Sequence, residues 1–600
     1  MKRKIALILC AAMITSVVAC AKESQGTRTI HDDTKAPQFT SDSSSATKPT
    51  DGPSESTTEA TTSESTTEAP SETTTEATTS KEETTTVESS TEATTSQEET
   101  TSEATTSTEE TSESTRATSS GNYLPPKSDF ICDTNLETID FEVFPIRHVY
   151  GARNPDDSYS PACVKVYLDG FDIYDDDFEA LYNAIDTDIY KYQDKQMTLY
   201  EEARKAFIEQ QKNEPVALES EVFSFYLYPV RADNQLTSLF YTTNEGSEYR
   251  EEYVGATYYS MTGEKVEFSD VVTDLDGLVY IVETYVNKNF SGYELADAEN
   301  LVDKLKAGKA AWAINYNSII LTESYIDIII CVADHPSLFN MKYFGSAPEV
   351  FNLLPSSENR NINWDFSGNG SIDTVRVEDD NSEGSVSKIM LCYDGQFSYV
   401  TDLSPFEYTY YDSSTVMYDG TNYYLYVMSY GDSNNKFAAV YHITPSSLDY
   451  VGVIQNADFT EAFWINPDYF TVNGRSHDVI GSVSYREYYS LIPSDGGMPE
   501  SIYPYLEGEL TVYITKTEMK GKKIDISTGE AIEDVTIPKD TALGFYLLGY
   551  GNNAVYFEVL MENEKDNYYV KFDIEKGGDY GYTIQGKSAD DIFYHVQHSS

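Results

Sequence analysis

Oxygen-bearing side chains recur at alternate positions of one short segment, residues 365–373. They occupy positions 1, 3, 5 and 9, with glycine at position 6 for a sharp turn and a backbone carbonyl available at position 7. The residues are Asp365, Ser367, Asn369, Gly370, Ser371 and Asp373. Calcium takes about six to eight hard oxygen ligands, which such a loop wraps around the ion. The segment therefore predicts a calcium loop, of weak affinity because only two ligands are charged; an empty Asn-Gly hairpin turn is the alternative.

Motifs of catalytic chemistry are missing from the sequence. There is no His-Glu-x-x-His, no Gly-x-Ser-x-Gly, and no Thr-Phe-Asp-Asp-Gly of the deacetylase type. With 100 Asp and Glu residues, carboxylate pairs are too abundant to single one out. The sequence predicts no catalytic residue and favours a protein that is not an enzyme.

The N-terminus carries the marks of a secretion signal with a lipid attachment site. Residues 1–20 begin with Lys2-Arg3-Lys4, continue with an apolar run and end in Val17-Val18-Ala19-Cys20. Small residues before a cysteine resemble the bacterial lipobox, which implies cleavage before Cys20 and a diacylglycerol on its sulfur. A plain secretory signal cut near Ala19 is the alternative. The expected location is the outer face of the membrane of a bacterium, Gram-positive in this interpretation, with the membrane as a partner through the lipid.

Residues 21–120 form a predicted stalk. Thr, Ser and Glu dominate the segment, Thr-Glu-Ala-Thr-Thr-Ser recurs, and large apolar residues are almost absent. Such a composition cannot bury enough surface to offset the entropy of ordering, so we expect a disordered tether.

The net charge narrows the choice of partners. It is −59, and most of the negative charge follows residue 120. This surface repels phosphate backbones, so no nucleic-acid partner is expected. Cations and basic proteins remain compatible with it.

From residue 121 onward, apolar patterns predict two folded regions. Residues 121–350 mix strands, such as Val164–Leu168 and Val222–Val230, with helices around Phe178–Ile189, over Leu199–Gln211 and over Leu275–Val286. This order indicates an α+β domain. Further strands are expected at Val266–Phe268, after a hairpin turn at Met261–Glu264, and in the runs Ala311–Tyr316, Ser318–Thr322 and Ile326–Val332.

Residues 351–600 read as an all-β region, with a possible split into two small units near residue 500. All 49 tyrosines follow residue 120. Exposed tyrosines would suit a sugar- or protein-binding platform, whereas buried ones would be strand formers with one polar end. Cys132 and Cys163 are able to pair, and Cys331 and Cys392 lie in apolar strands that predict buried thiols.

Several segments of the first region resemble DUF3298/RsiV-like extracellular domains. They are Arg231-Ala232-Asp233 before a strand, Tyr258–Lys265 followed by Phe268-Ser269-Asp270-Val271 and a helix, and Trp312–Tyr316 leading into Ile319–Leu321. The resemblance covers residues 140–345 and implies an envelope-facing recognition domain. Family members include the extracellular half of an anti-sigma factor that recognises lysozyme and a module of peptidoglycan deacetylases. The chain departs from the family at Asn244–Glu248 and Thr322–Asp327, so lysozyme recognition does not carry over.

Two functions follow from the sequence. The first is a surface lipoprotein that binds an unknown protein or glycan without catalysis. The second is a hydrolase of wall or dietary glycans, with a carboxylate pair that only the fold brings together.

Overall fold

The computed structural model describes most of the chain after residue 135. The described residues are 136–154, 161–213, 220–246, 248–324, 326–380, 384–431, 436–455, 459, 466–467, 469–476, 480–491, 498–503, 505–509, 511–549, 553–577 and 582–596. Cys20, the predicted stalk and Cys132 therefore lie outside the described residues. Within them, no helix has both the length and the apolar character that a bilayer crossing requires.

A five-stranded sheet begins the folded region. Its strands, in spatial as well as chain order, are β1 (Phe141–Ala152), β2 (Ala162–Ile173), β3 (Glu221–Ala232), β4 (Leu236–Glu245) and β5 (Glu248–Tyr259). Strands β2 and β3 run parallel and the other neighbours antiparallel. Parallel neighbours need a crossover, and helix α1 (Glu179–Asn213) supplies it.

Helix α1 corrects the sequence prediction of two helices. It is continuous over 35 residues, because neither glycine nor proline interrupts the polar stretch between the two apolar stripes. Its buried side chains pack against the sheet and form the first hydrophobic core. They include Leu181, Ile185, Ile189, Tyr200 and Phe207.

A second layer follows, with three helices and a three-stranded antiparallel sheet. The elements are α2 (Phe268–Val271), α3 (Leu275–Asn289), α4 (Tyr293–Lys306), β6 (Ala311–Ile314), β7 (Ser318–Glu323) and β8 (Ile326–Cys331). The predicted helix at 275–286 and the three predicted strands are confirmed. The predicted strand Val266–Phe268 is wrong, because the pairing there is a single bridge between Lys265 and Tyr258, in which Val266 N donates to Thr257 O, and Phe268 already begins α2.

Two sheets that share one core make up the next part of the chain. The first has the order β10–β11–β12–β13 and the second the order β17–β16–β15–β14–β9. The strands are β9 (Phe351–Leu353), β10 (Asn361–Trp364), β11 (Asp373–Asp379), β12 (Val386–Tyr393), β13 (Gln396–Tyr399), β14 (Thr409–Tyr418), β15 (Tyr423–Gly431), β16 (Lys436–Ile443) and β17 (Leu448–Gln455).

The remaining strands hydrogen-bond into one twelve-stranded sheet, to which strands on both sides of residue 500 belong. They are β18 (Phe470–Ser476), β19 (Val483–Ser490), β20 (Glu500–Ser501), β21 (Leu506–Gly508), β22 (Val512–Thr515), β23 (Met519–Ile524), β24 (Ala531–Ile537), β25 (Ala542–Gly549), β26 (Ala554–Val559), β27 (Tyr568–Lys576), β28 (Tyr582–Ile584) and β29 (Phe593–Tyr594), with the short helix α5 (Ala589–Ile592) before β29. The chain is thus an α+β domain followed by an all-β region, as the sequence predicts.

The last sheet packs against the first one. An apolar cluster joins β1 and β2 to the C-terminal strands through Val149, Cys163, Val512, Ile514 and Leu560. The Tyr200 hydroxyl donates to Glu564 Oε1 at 2.9 Å across the same junction. This packing brings the start of β1 close to Tyr469, Glu500 and Tyr503.

Candidate functional site

A cleft of about 520 Å³ lies between the start of β1 and the segments around β18 and β20. This size is within the range of small-ligand sites, about 300–1,000 Å³. Carboxylates, phenols, hydroxyls and one amide provide most of the lining. The lining residues are Asp140, Phe141, Glu142, Asn466, Tyr469, Ser490, Glu500, Ser501, Ile502 and Tyr503.

The β1 side of the cleft is anchored by an aromatic contact. Phe141 is buried and stacks on Phe171, with 5.5 Å between ring centroids. Glu142, the next residue, accepts a hydrogen bond from the Tyr174 hydroxyl. Burial, and after it this contact with Glu142, raises the pKa of Tyr174, so the phenol stays a neutral donor that orients the carboxylate.

A cluster of four tyrosines forms the opposite side. Tyr488, at its centre, packs against Tyr469 and Tyr503, each at 5.5 Å between centroids, and Tyr503 stacks on Tyr505 at 5.2 Å. Tyr469 and Tyr503 face the cleft. Burial, then the neighbouring phenols, and then Glu142 and Glu507 raise the pKa of Tyr469. The rings of Tyr469 and Tyr503 therefore share the cleft with the carboxylates of Asp140, Glu142 and Glu500.

No Lys, Arg or His is among the described lining residues. The nearby Arg147 is engaged elsewhere: its Nη1 donates to Gly508 O at 2.6 Å and lies 3.4 Å from Glu507 Oε1. The Tyr488 hydroxyl donates to the same Glu507. The positive charge of Arg147 is thus matched by Glu507, while Glu142 and Glu500 line the cleft itself.

This lining suits a ligand rich in hydroxyl or amine groups. Carboxylates accept hydrogen bonds and tyrosine hydroxyls both donate and accept them. The tyrosine rings offer apolar faces against which a sugar ring packs. Sequence reasoning missed this cleft, since Glu142 and Glu500 lie far apart in the chain and neither has a motif around it.

The predicted calcium loop closes around its own side chains. Asp365 accepts hydrogen bonds from Ser367 Oγ at 3.1 Å, from Asn369 N at 3.0 Å and from Gly370 N at 2.8 Å. Asp373, which is 1% exposed, accepts from Ser367 N at 3.0 Å.

Both carboxylates of the loop thus accept hydrogen bonds from Ser367. The backbone N–H of Ser371 donates to Asn369 Oδ1 at 2.7 Å. Burial raises the pKa of Asp373 against the opposing effect of its hydrogen bonds. In the described part of the chain, no group of three or more His, Cys, Asp or Glu side chains is arranged to hold a metal. Calcium binding by this loop stays a prediction.

Millimolar Ca²⁺ is expected to raise the melting temperature of the protein. A ligand that binds only the folded state raises the free energy of unfolding by about 2.7 kcal/mol when its concentration is a hundred times its Kd. Asp365→Ala should abolish the rise. Asp402→Ala is the matched control, since Asp402 Oδ1 accepts a hydrogen bond from Ser404 N in another exposed turn. Magnesium should raise the melting temperature less than calcium, because Mg²⁺ gives up its water ligands reluctantly. Identical melting curves with Ca²⁺ and with chelator would leave the loop a plain turn.

The tyrosines divide between the core and the surface. Tyr200, Tyr258, Tyr343, Tyr426, Tyr441 and Tyr556 are fully buried. The main surface candidate for a binding platform outside the cleft is the pair Phe397 and Tyr399 on β13, 60% and 50% exposed, with centroids 6.5 Å apart. This pair is open to solvent on a sheet face, whereas the cleft is lined both by β1 and by the segments around β18 and β20.

The cysteines follow the predictions in part. Cys331 is fully buried, and burial raises the pKa of its thiol to about 12, as for an inert core residue. Cys392 is only partly buried, which corrects its prediction: Leu391 takes the core position, so Cys392 points to the other face of the sheet. Cys163 is a buried free thiol.

No family model and no curated protein matches this chain. Two solved structures of DUF3298 family proteins are similar to about a third of the chain. One, from Bacteroides fragilis, is 10% identical with a TM-score of 0.24 and covers 34% of this chain and 95% of its own. The other, from Pseudomonas aeruginosa PAO1, is 11% identical with a TM-score of 0.21 and covers 35% and 99%.

Proposed function

We propose that this protein is a non-catalytic recognition protein of the bacterial envelope that binds a saccharide in the cleft between β1 and the segments around β18 and β20. The observation that carries the proposal is the lining itself. Tyr469 and Tyr503 supply ring faces, and Glu142, Glu500 and Ser501 supply polar groups around one cavity of about 520 Å³.

Physical chemistry favours a saccharide over an apolar ligand. An apolar ligand would strip water from several carboxylates and hydroxyls without replacing their hydrogen bonds, which opposes binding. A sugar offers hydroxyl donors to the carboxylates and C–H faces to the tyrosines. The fixed orientation of Glu142, held by the Tyr174 hydroxyl, lowers the entropy lost on binding.

Titration calorimetry with soluble wall-type oligosaccharides tests the proposal. Tyr469→Ala is expected to weaken binding about tenfold, the effect of losing a central aromatic contact. Tyr399→Ala is the matched control, because it removes an exposed tyrosine of the β13 pair and should leave affinity unchanged. Melting temperatures establish that both variants fold. Unchanged affinity in Tyr469→Ala and in Tyr503→Ala would contradict binding in this cleft.

A glycan hydrolase is the second candidate, because Glu142 and Glu500 line one cavity. Hydrolysis requires two carboxyl groups about 5–10 Å apart on either side of the scissile bond. Release of new reducing ends, lost in both Glu142→Gln and Glu500→Gln, would favour this candidate over simple binding.

We further propose that residues 121–350 are a DUF3298/RsiV-like head, displayed outside the cell by a lipid on Cys20 and the stalk of residues 21–120. The lipobox-like junction and the Thr/Ser/Glu-rich composition support this arrangement. Cys20→Ala should release the protein from membranes into the medium, as fractionation and immunoblotting would show. A variant that stays bound to the same extent would contradict the anchor.

A further inference from the structure

The sign of the charge around the cleft points to a more specific ligand. Glu142 and Glu500 line it from opposite sides, and Asp140 adds a third acid at the β1 end. The described lining contains no basic side chain. Three carboxylates stand beside five neutral polar side chains in the described lining, so all of its side-chain charge is negative. A neutral saccharide would satisfy the hydrogen bonds of such a lining but would leave this charge unmatched.

The pKa of the Tyr469 phenol is raised above its ordinary value, first of all by burial. Apart from burial, its pKa is raised by neighbouring tyrosines and by the carboxylates Glu142 and Glu507. Arg147 contacts Glu507 and the Gly508 carbonyl. Burial and then Glu507 raise the pKa of Tyr488 at the centre of the tyrosine cluster, and Arg486 and Arg147 oppose this rise, but neither arginine lines the cleft.

We propose that the cleft prefers saccharides that carry free, protonated amino groups over their N-acetylated counterparts. The inference rests on the proposed saccharide-binding function and deepens it. An ammonium group brings three N–H donors and a positive charge to Glu142 and Glu500, while the ring that bears it packs on Tyr469 or Tyr503. An N-acetyl group removes the charge and adds an acceptor that the carboxylates repel.

Glucosamine oligomers and N-acetylglucosamine oligomers of equal length are the matched probes. Calorimetry on the intact protein is carried out at about pH 5.5, which keeps the amino groups of the glucosamine oligomer protonated. We expect the free-amine oligomer to bind at least about tenfold more tightly. The difference should shrink from about 50 to about 500 mM NaCl, since screening weakens contacts between charges.

Charge-neutral variants locate the effect. Glu142→Gln and Glu500→Gln should each reduce the preference severalfold, and together bring the two affinities within about twofold. Glutamine at 142 keeps an acceptor for the Tyr174 hydroxyl. Glu487→Gln is the control, because Glu487 contacts Tyr489 on β19 and does not line the cleft.

The outcomes separate this inference from the proposed function. Equal affinity for both oligomers, together with weaker binding of both by Tyr469→Ala, would overturn the preference and leave saccharide binding in place. Binding of neither oligomer would overturn both. Tighter binding of a lysine oligomer than of the glucosamine oligomer would overturn the assignment to a saccharide.

Discussion

Replacing Asp233 by alanine is expected to lower the free energy of unfolding by about 3–5 kcal/mol, the cost of leaving a buried charge without its partner. Asp233 Oδ2 accepts a hydrogen bond from Arg231 Nε at 2.6 Å. The Asp233 side chain is 0% exposed and the Arg231 side chain 2% exposed. The Arg231 guanidinium also donates to Tyr343 O at 2.7 Å. The pair thus joins the first sheet to the segment after β8.

The expected result appears as a lower urea midpoint with an unchanged slope. Glu533→Ala is the control, because its contact with Lys523 at 3.7 Å is 35–59% exposed and is expected to contribute less than about 1 kcal/mol. Replacing both Arg231 and Asp233 by apolar residues should recover part of the loss. A loss below about 1 kcal/mol for Asp233→Ala would contradict the account of this pair.

Gly255→Ala is expected to destabilise the protein by about 3 kcal/mol, at the upper end of the usual cost of overpacking. A Cβ at this position on β5 would lie 2.1 Å from Trp312 O and 2.5 Å from Trp312 N. Both atoms belong to the backbone of β6 and cannot rotate away. The two sheets would therefore have to separate at the point where Ile314 N donates to Ser238 Oγ.

Gly431→Ala is the matched control for this substitution. It also lies in a strand, β15, and a Cβ there would meet nothing within 4 Å. Hydrogen exchange should accelerate across β6 in Gly255→Ala and stay unchanged in Gly431→Ala. Equal stability of the two variants would contradict close packing of β5 on β6.

Local patterns in the sequence predict much of the fold. The turn at Met261–Glu264 forms, with Gly263 at a φ of 67° that favours glycine, and α3 and β6–β8 follow their apolar periodicity. The prediction fails where tertiary contacts decide. Helix α1 continues through a polar stretch because the sheet buries residues on both sides of it, such as Ile189 and Tyr200.

The segment Arg231-Ala232-Asp233, which resembles DUF3298/RsiV-like domains, contains the buried ion pair between Arg231 and Asp233. In the described structure these residues therefore stabilise the fold. The cleft was beyond sequence reasoning for a different reason. Glu142 and Glu500 line one cavity only because the C-terminal sheet packs on β1, and nothing local distinguishes them among 100 acidic residues. The predicted calcium loop is the opposite case: its residues are local in the chain, and both of its carboxylates accept hydrogen bonds from Ser367, while calcium binding itself stays a prediction.

A crystal structure of the protein with a bound glucosamine oligomer would test the saccharide-binding cleft most directly. We expect a sugar ring against Tyr469 or Tyr503, with an amino or hydroxyl group within hydrogen-bond distance of Glu142 or Glu500. A saccharide seated on Phe397 and Tyr399 of β13, with none in the cleft, would contradict the central claim.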